Sequence, residues 1–156
     1  MPYSPPPPGQ RLTTAILAAM VGPWQDYDVA WTASGSTPSV GTSGSLSGRY
    51  VQIGGLIHFG IKLTGGSNTG WGSGTYSFSL PAVAAPGIDM VGDCFVGDSS
   101  AGSAGYSTGI ALVGAGAATV SAYIGGKNAS SALSNANPQT FASGDRIWLT
   151  GAYEAA

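Results

Sequence analysis

The chain has 156 residues, of which 26 are glycine and only 8% are Asp, Glu, Lys or Arg, giving a formal net charge of −2. Disordered chains combine low hydrophobicity with high charge, and here 43% of the residues are hydrophobic, so a folded, turn-rich domain is expected. The five basic residues, Arg11, Arg49, Lys62, Lys127 and Arg146, are scattered, whereas nucleic-acid binding needs them clustered to neutralise phosphates.

The N-terminal segment MPYSPPPPGQ is expected to be an extended polyproline II arm, because Pro5 to Pro8 fix φ and lack backbone donors. Residues 11–21 read as a short helix. Leu12, Ile16, Ala19 and Met20 mark one face, Thr13 can cap its start, and Gly22-Pro23 stops it. So short a helix is unstable alone. Its apolar face must pack on the protein's own domain, on another copy or on a partner. Tyr3, Pro5, Pro6, Pro7, Pro8, Leu12, Ile16 and Met20 are therefore the candidate attachment residues. The boundary falls after residue 22, with 1–22 an arm and helix for attachment or oligomerisation, and 23–156 a β-sandwich domain. The stretch Leu12 to Val21 is too short and too broken by threonine for a secretory signal, and no run approaches the ~20 apolar residues of a membrane span. No membrane partner is expected.

Period-two alternation dominates the remainder. Ile57, Phe59, Ile61 and Leu63, then Tyr76, Phe78 and Leu80, repeat at the spacing of strands with one buried face. Strands are expected near Val29–Ala33, Arg49–Ile53, Leu56–Thr64, Thr75–Leu80, Asp93–Val96, Thr108–Val113, Val120–Ile124 and Arg146–Tyr153. Glycine and alanine dilute the pattern in the fifth and sixth. Ile53-Gly54-Gly55-Leu56 reads as a tight hairpin turn needing positive φ. Residues 127–140 read as a long loop, with Pro138 excluding a central strand. Short strands separated by Gly/Ser/Thr/Asn turns imply an all-β antiparallel sandwich or jelly roll. Trp31 and Trp148, both in strand patterns, are expected in its core together with Cys94, whose Asp93 and Phe95 flanks do not stabilise a thiolate.

Residue types that carry chemistry are sparse. His58, the one histidine, falls on the face opposite Ile57, Phe59 and Ile61. The order His58, Asp89 or Asp93, then Gly97-Asp98-Ser99 superficially mimics a serine protease, but Ser100-Ala101 replaces the glycines that would shape an oxyanion hole. Asp89, Asp93 and Asp98 lack the alternating ligand spacing of a calcium loop, and one His with one Cys offers no zinc pattern. No catalytic residue, metal or cofactor is therefore expected. Gly70-Trp71-Gly72-Ser73-Gly74 precedes a strand and reads as a turn rather than a phosphate loop. Its Trp71 either stacks an exposed ligand such as a sugar or caps the end of the core. Asn128-Ala129-Ser130 matches a glycosylation acceptor without a secretory context.

Several runs also resemble a known family. They are Trp31-Thr32-Ala33-Ser34-Gly35, Gly44-Ser45-Leu46-Ser47-Gly48-Arg49-Tyr50, His58-Phe59 and Gly72-Ser73-Gly74-Thr75-Tyr76-Ser77-Phe78-Ser79-Leu80-Pro81. Near the end, Ala142-Ser143-Gly144-Asp145-Arg146-Ile147 leads through Gly151 to Tyr153-Glu154-Ala155. Together they resemble a module of structural proteins from tailed bacteriophages, especially those of actinobacterial hosts. That resemblance implies a non-enzymatic virion protein. A minor capsid (decoration or cement) protein on the head is the favoured reading, a homotrimer partnered by the major capsid protein or other virion proteins. The alternatives are a minor tail or fibre protein, or a carbohydrate-binding host-recognition module using Trp71. A fibre shaft would show coiled-coil or β-helical repeats, and none is evident.

Overall fold

The alternation read over residues 56–64 is realised as one long strand in the computed structural model, which describes residues 9, 11, 13, 14, 22–125 and 132–156. Among them nine strands form a single antiparallel sheet. They are β1 (Gln25–Tyr27), β2 (Trp31–Ala33), β3 (Ser45–Ile53), β4 (Leu56–Thr64), β5 (Tyr76–Ser79), β6 (Met90–Gly97), β7 (Tyr106–Val113), β8 (Thr119–Ile124) and β9 (Arg146–Glu154). A short 3-10 turn at Gly102–Gly105 precedes β7. Spatial order is β1-β3-β4-β9-β6-β7-β8-β5-β2.

All eight expected strands are present. The diluted pair extends further than alternation suggested, to Met90–Gly97 and Tyr106–Val113. The glycines that blur the pattern there permit close approach, since a Cβ on Gly92 would lie 2.1 Å from the Thr150 carbonyl oxygen. The hairpin at Ile53-Gly54-Gly55-Leu56 pairs Ile53 with Leu56 and holds Gly54 at φ 61°, a left-handed conformation that favours glycine. Strand β1 was not expected, because Gln-Asp-Tyr carries no alternation. The arm and helix foreseen over residues 1–22, with Tyr3, Pro5–Pro8, Leu12, Ile16 and Met20, lie outside the described residues apart from Gly9, Arg11, Thr13, Thr14 and Gly22. Asn128 to Ser130 lie outside them too.

The two edge strands, β1 and β2, are consecutive in sequence and separated only by residues 28–30. The sheet therefore curls until its edges meet, and the segment 25–33 crosses the seam. Its first part pairs with β3, registering Asp26 with Arg49, and its last part pairs with β5, registering Trp31 with Phe78. Across the seam Tyr27 donates its hydroxyl proton to the Ser79 carbonyl at 3.2 Å. Ala30 and Ser79 exchange two bonds: the Ala30 amide donates to Ser79 Oγ at 2.8 Å and the Ser79 amide to the Ala30 carbonyl at 2.9 Å. Gly48 makes the crossing possible, because a Cβ there would lie 2.4 Å from Val29 and 2.5 Å from the Tyr27 ring.

Inside the curl lies one core. Ile57, Phe59, Ile61 and Leu63 of β4 pack with Tyr76, Phe78, Val96, Val120, Leu149 and Tyr153, and Trp31 and Cys94 join them as expected. Trp148 does not. Ile147, Leu149 and Tyr153 take the inward positions of β9, so alternation sends Trp148 to the outer face. There it packs against Phe95 with ring centroids 5.1 Å apart. The described part of the expected loop also departs from a plain loop. Leu133 is fully buried, accepts from the Tyr76 amide and donates to the Ala122 carbonyl. One apolar residue among polar ones has no period to announce it.

The inward face is testable at adjacent positions. Ile61→Ala should lower stability by about 2–5 kcal/mol in a urea melt through the cavity it leaves, whereas Lys62→Ala on the outer face should change it by under about 0.5 kcal/mol. Equal losses would reverse the faces.

The core also fixes the alkaline response. Burial pushes the Cys94 thiol from 9.0 up to about 12, and burial raises the Tyr27 and Tyr76 phenols above 10.0. These groups stay protonated in the fold but ionise at their ordinary values once unfolded. Their contribution is complete below pH 9.0 and is lost as pH rises past it. Urea midpoints should therefore fall above pH 9.0, with Cys94→Ala flattening the first part of that fall. A thiol reagent should label Cys94 only after unfolding.

Candidate functional site

Because β4 and β9 are paired on both sides, their outward side chains form a continuous surface with β3 and β6. In this register Gly60 lies between Arg49 of β3 and Thr150 of β9, and Lys62 lies between Ser47 and Trp148. Phe95 of β6 follows beyond Trp148. Gly60 is the low point. A Cβ built there meets nothing within 4 Å, so the missing side chain leaves open space above the sheet. Trp24, just before β1, rises at one end of that space with its ring 5.6 Å from His58 and edge-on to it. The result is an open groove of about 420 Å³ between Trp24 and Trp148, floored by Gly60 and flanked by Ser47, Arg49, Lys62 and Thr150. Its volume lies within the ~300–1,000 Å³ of small-ligand sites, and the mix of apolar walls with few polar groups is typical of them.

Cations border both indoles. The Arg49 guanidinium sits 5.9 Å from the Trp24 ring centroid and pairs with Asp26 at 2.9 Å. Lys62 Nζ lies 5.8 Å from the Trp148 centroid and the Arg146 guanidinium 5.9 Å from it. These distances are near the outer limit of cation–π attraction, and the groups stay hydrated. Beyond Trp148 the aromatic row continues through Phe95 to Tyr106, whose rings are 5.0 Å apart. A second hollow of about 210 Å³ opens there, bounded by Asp98, Ser99, Tyr106, Arg146 and Trp148.

The residues singled out in the sequence occupy other positions. Trp71 is half-buried and packs against the end of the core, stacked on Phe141 at 4.7 Å and edge-on to Trp31 at 5.6 Å. Its ring takes space that any side chain on Gly65 would need, because a Cβ there would come within 2.3 Å of it. Its carbonyl accepts from the Tyr76 hydroxyl at 2.7 Å. His58 is exposed on the outer face, as the alternation required. It registers with Ala152 of β9, whereas the end of β6 that leads to Ser99 registers with Arg146. Six residues of strand separate those levels, about 20 Å. The triad-like order is therefore not assembled into a site.

The three aspartates do local work. Asp89 accepts from the Ala115 amide at 2.8 Å. Asp98 accepts from the Ser100 hydroxyl and the Ser100 and Ala101 amides, and those bonds, the Ser100 hydroxyl first, hold its carboxyl below the usual range. Asp93 lies exposed on β6. Among the described residues no group of three His, Cys, Asp or Glu side chains could hold a metal ion, and no helix is long and apolar enough to cross a membrane.

Asp145, which no catalytic or metal-binding motif marks in the sequence, has the most satisfied carboxylate. Only 1% exposed, it accepts from the Ser99 amide and hydroxyl on one oxygen, and from Gln139 Nε2 and the Ala142 amide on the other. It ties the turn after β6 to the approach to β9, which explains the Ala142-to-Ile147 run in structural terms. Trp24, Trp148 and Phe95 were also missed as surface residues. The signal for Trp148 was available, since Ile147, Leu149 and Tyr153 share one parity and Trp148 has the other.

No protein-family model, no curated protein and no solved structure matches the chain.

The position of Trp71 has a direct consequence. Trp71→Ala should cost about 3–5 kcal/mol in a denaturant melt, as removal of a large packed aromatic does. A stable, fully folded variant would show that the indole is presented to solvent instead.

Proposed function

We propose that the chain is a non-enzymatic structural protein of a tailed-bacteriophage virion, a minor capsid (decoration) protein of the head. In this reading residues 1–22 are the proline arm and short helix that attach it to the major capsid protein, and the curled sheet is a sandwich-like domain carried as a homotrimer on the particle surface.

One observation supports the reading above the rest. Several of the residues that resemble the phage module help to hold the sheet closed. In Gly48-Arg49-Tyr50, the glycine admits the crossing segment, Arg49 pairs with Asp26 at 2.9 Å, and Tyr50 meets Tyr27 edge-on at 5.8 Å. In Phe78-Ser79-Leu80, Phe78 stacks on Trp31 and Ser79 exchanges bonds with Ala30 across the seam. Within this chain those runs therefore do specific work in closing the sheet, beyond supplying glycine. The low charge adds to it, because Lys, Glu and Asp, which are depleted at interfaces, are few here.

The attachment is tested by deleting residues 1–21 and following incorporation into particles. The truncated protein should keep its β-sheet circular dichroism and its cooperative melt, yet fail to co-sediment with virions. It should become monomeric if the helix builds the trimer axis. Incorporation at full occupancy would move attachment to the sheet and its loops. Antibody labelling confined to tails would replace the head assignment with the minor-tail alternative.

A further inference from the structure

We propose that the outer-face track running from Trp24 over Gly60 to Trp148 and Tyr106 binds an acidic glycan, a saccharide chain bearing carboxylate or phosphate groups. The proposal replaces Trp71 with Trp24 and Trp148 as stacking residues. It holds whether the domain is carried on the head or on the tail.

Four features select that ligand class. The track crosses β3, β4, β9, β6 and β7, four interstrand steps or about 19 Å, so it suits an extended chain rather than a compact molecule. Aromatic faces recur along it with a hollow on each side of Trp148. A pyranose ring has an apolar C–H face and a hydroxyl rim, so it can bury the first on an indole while the second stays wet. Three of the five basic residues of the chain, Arg49, Lys62 and Arg146, border this one surface. Among the described residues only Arg49 has a carboxylate at ion-pair distance, so Lys62 and Arg146, both beside Trp148, offer charge for an anionic group. The bordering acids compete little. Asp26 is held by Arg49, Asp98 is engaged by Ser100 and Ala101, and Asp93 stands one strand away, opposite Thr150.

The same features disfavour other chains. β4 and β9, beneath the centre of the groove, are paired on both sides, so no backbone is free there to augment with a peptide strand, which leaves side-chain recognition. Three cations over such a length are few for a nucleic-acid backbone with a phosphate at every step.

Binding of the full chain is measured by titration calorimetry at low salt with four probes of similar length. These are a galacturonic acid hexamer, a glycerol-phosphate oligomer, an uncharged maltohexaose and an oligothymidylate. The acidic probes should bind at least tenfold more tightly than maltohexaose, and their affinity should fall as salt rises. Preference for the uronate assigns carboxylate and preference for the glycerol phosphate assigns phosphate, and either supports the proposal. Gly60→Leu should abolish binding by filling the groove floor, with the melting temperature retained because its Cβ enters open space. Lys62→Ala should cost at least fivefold for acidic probes and leave maltohexaose unchanged. Tyr123→Ala, on the outer face of β8, should bind as wild type. Four results would overturn the proposal: no binding to either acidic probe, equal affinity for the neutral one, tighter binding of oligothymidylate, or binding indifferent to Gly60→Leu.

Discussion

The fold depends on one short crossing. Residues 25–33 are nearly a single extended segment, yet they belong to both edges of the sheet. An open antiparallel sheet exposes two rows of unpaired amides and carbonyls, which invite edge-to-edge association. Here the same segment covers part of both rows, Gly48–Tyr50 of β3 and Tyr76–Phe78 of β5. The cost is crowding at Gly48 and a set of specific contacts, the Tyr27–Ser79 and Ala30–Ser79 bonds and the Asp26–Arg49 pair. With the seam held, β4, β9, β6, β7 and β8 each have a neighbour on both sides, and the inward side chains share one core.

That closure decides what the surface can do. Strands paired on both sides offer partners no backbone, so recognition falls to the side chains standing outward. On β5 and β8 several of these are small, Ser77, Ser79, Thr119 and Ser121, whereas β6 and β7 also expose Val91, Tyr106 and Ile110. On β4, β9 and β6 they are Lys62, Trp148 and Phe95, with Trp24 brought in from before β1. A chain with only 8% charged residues therefore places three of its five cations around one aromatic surface. The groove exists because Gly60 supplies nothing at its centre.

Irregular segments are tied down by polar contacts as well as by buried anchors such as Leu133 and Phe141. Asp145 gathers four donors from Ser99, Gln139 and Ala142, and Tyr153 both donates to and accepts from Ala82. In a domain this rich in glycine, such anchors limit the conformational freedom that loops would otherwise keep.

The sequence by itself determined the class and nearly all the strands. A half-buried strand imposes a period of two on its side chains, and Ile57 to Leu63 and Tyr76 to Leu80 carry that period plainly. It also determined the turn at Gly54 and the outward side of His58, for the same local reasons. Tertiary structure decided everything that depends on which surfaces meet. The parity of Ile147, Leu149 and Tyr153 points Trp148 outward, but only pairing with β4 and β6 set its neighbours there, Lys62 and Phe95. Trp71 could have been a platform or a cap, and the approach of Phe141, seventy residues away in sequence, made it a cap. β1 has no apolar rhythm because it is held by its neighbour across the ladder rather than by burial of its own. Periodicity reports a residue's relation to its own strand, whereas a groove, a seam or a capped core is a relation between strands distant along the chain.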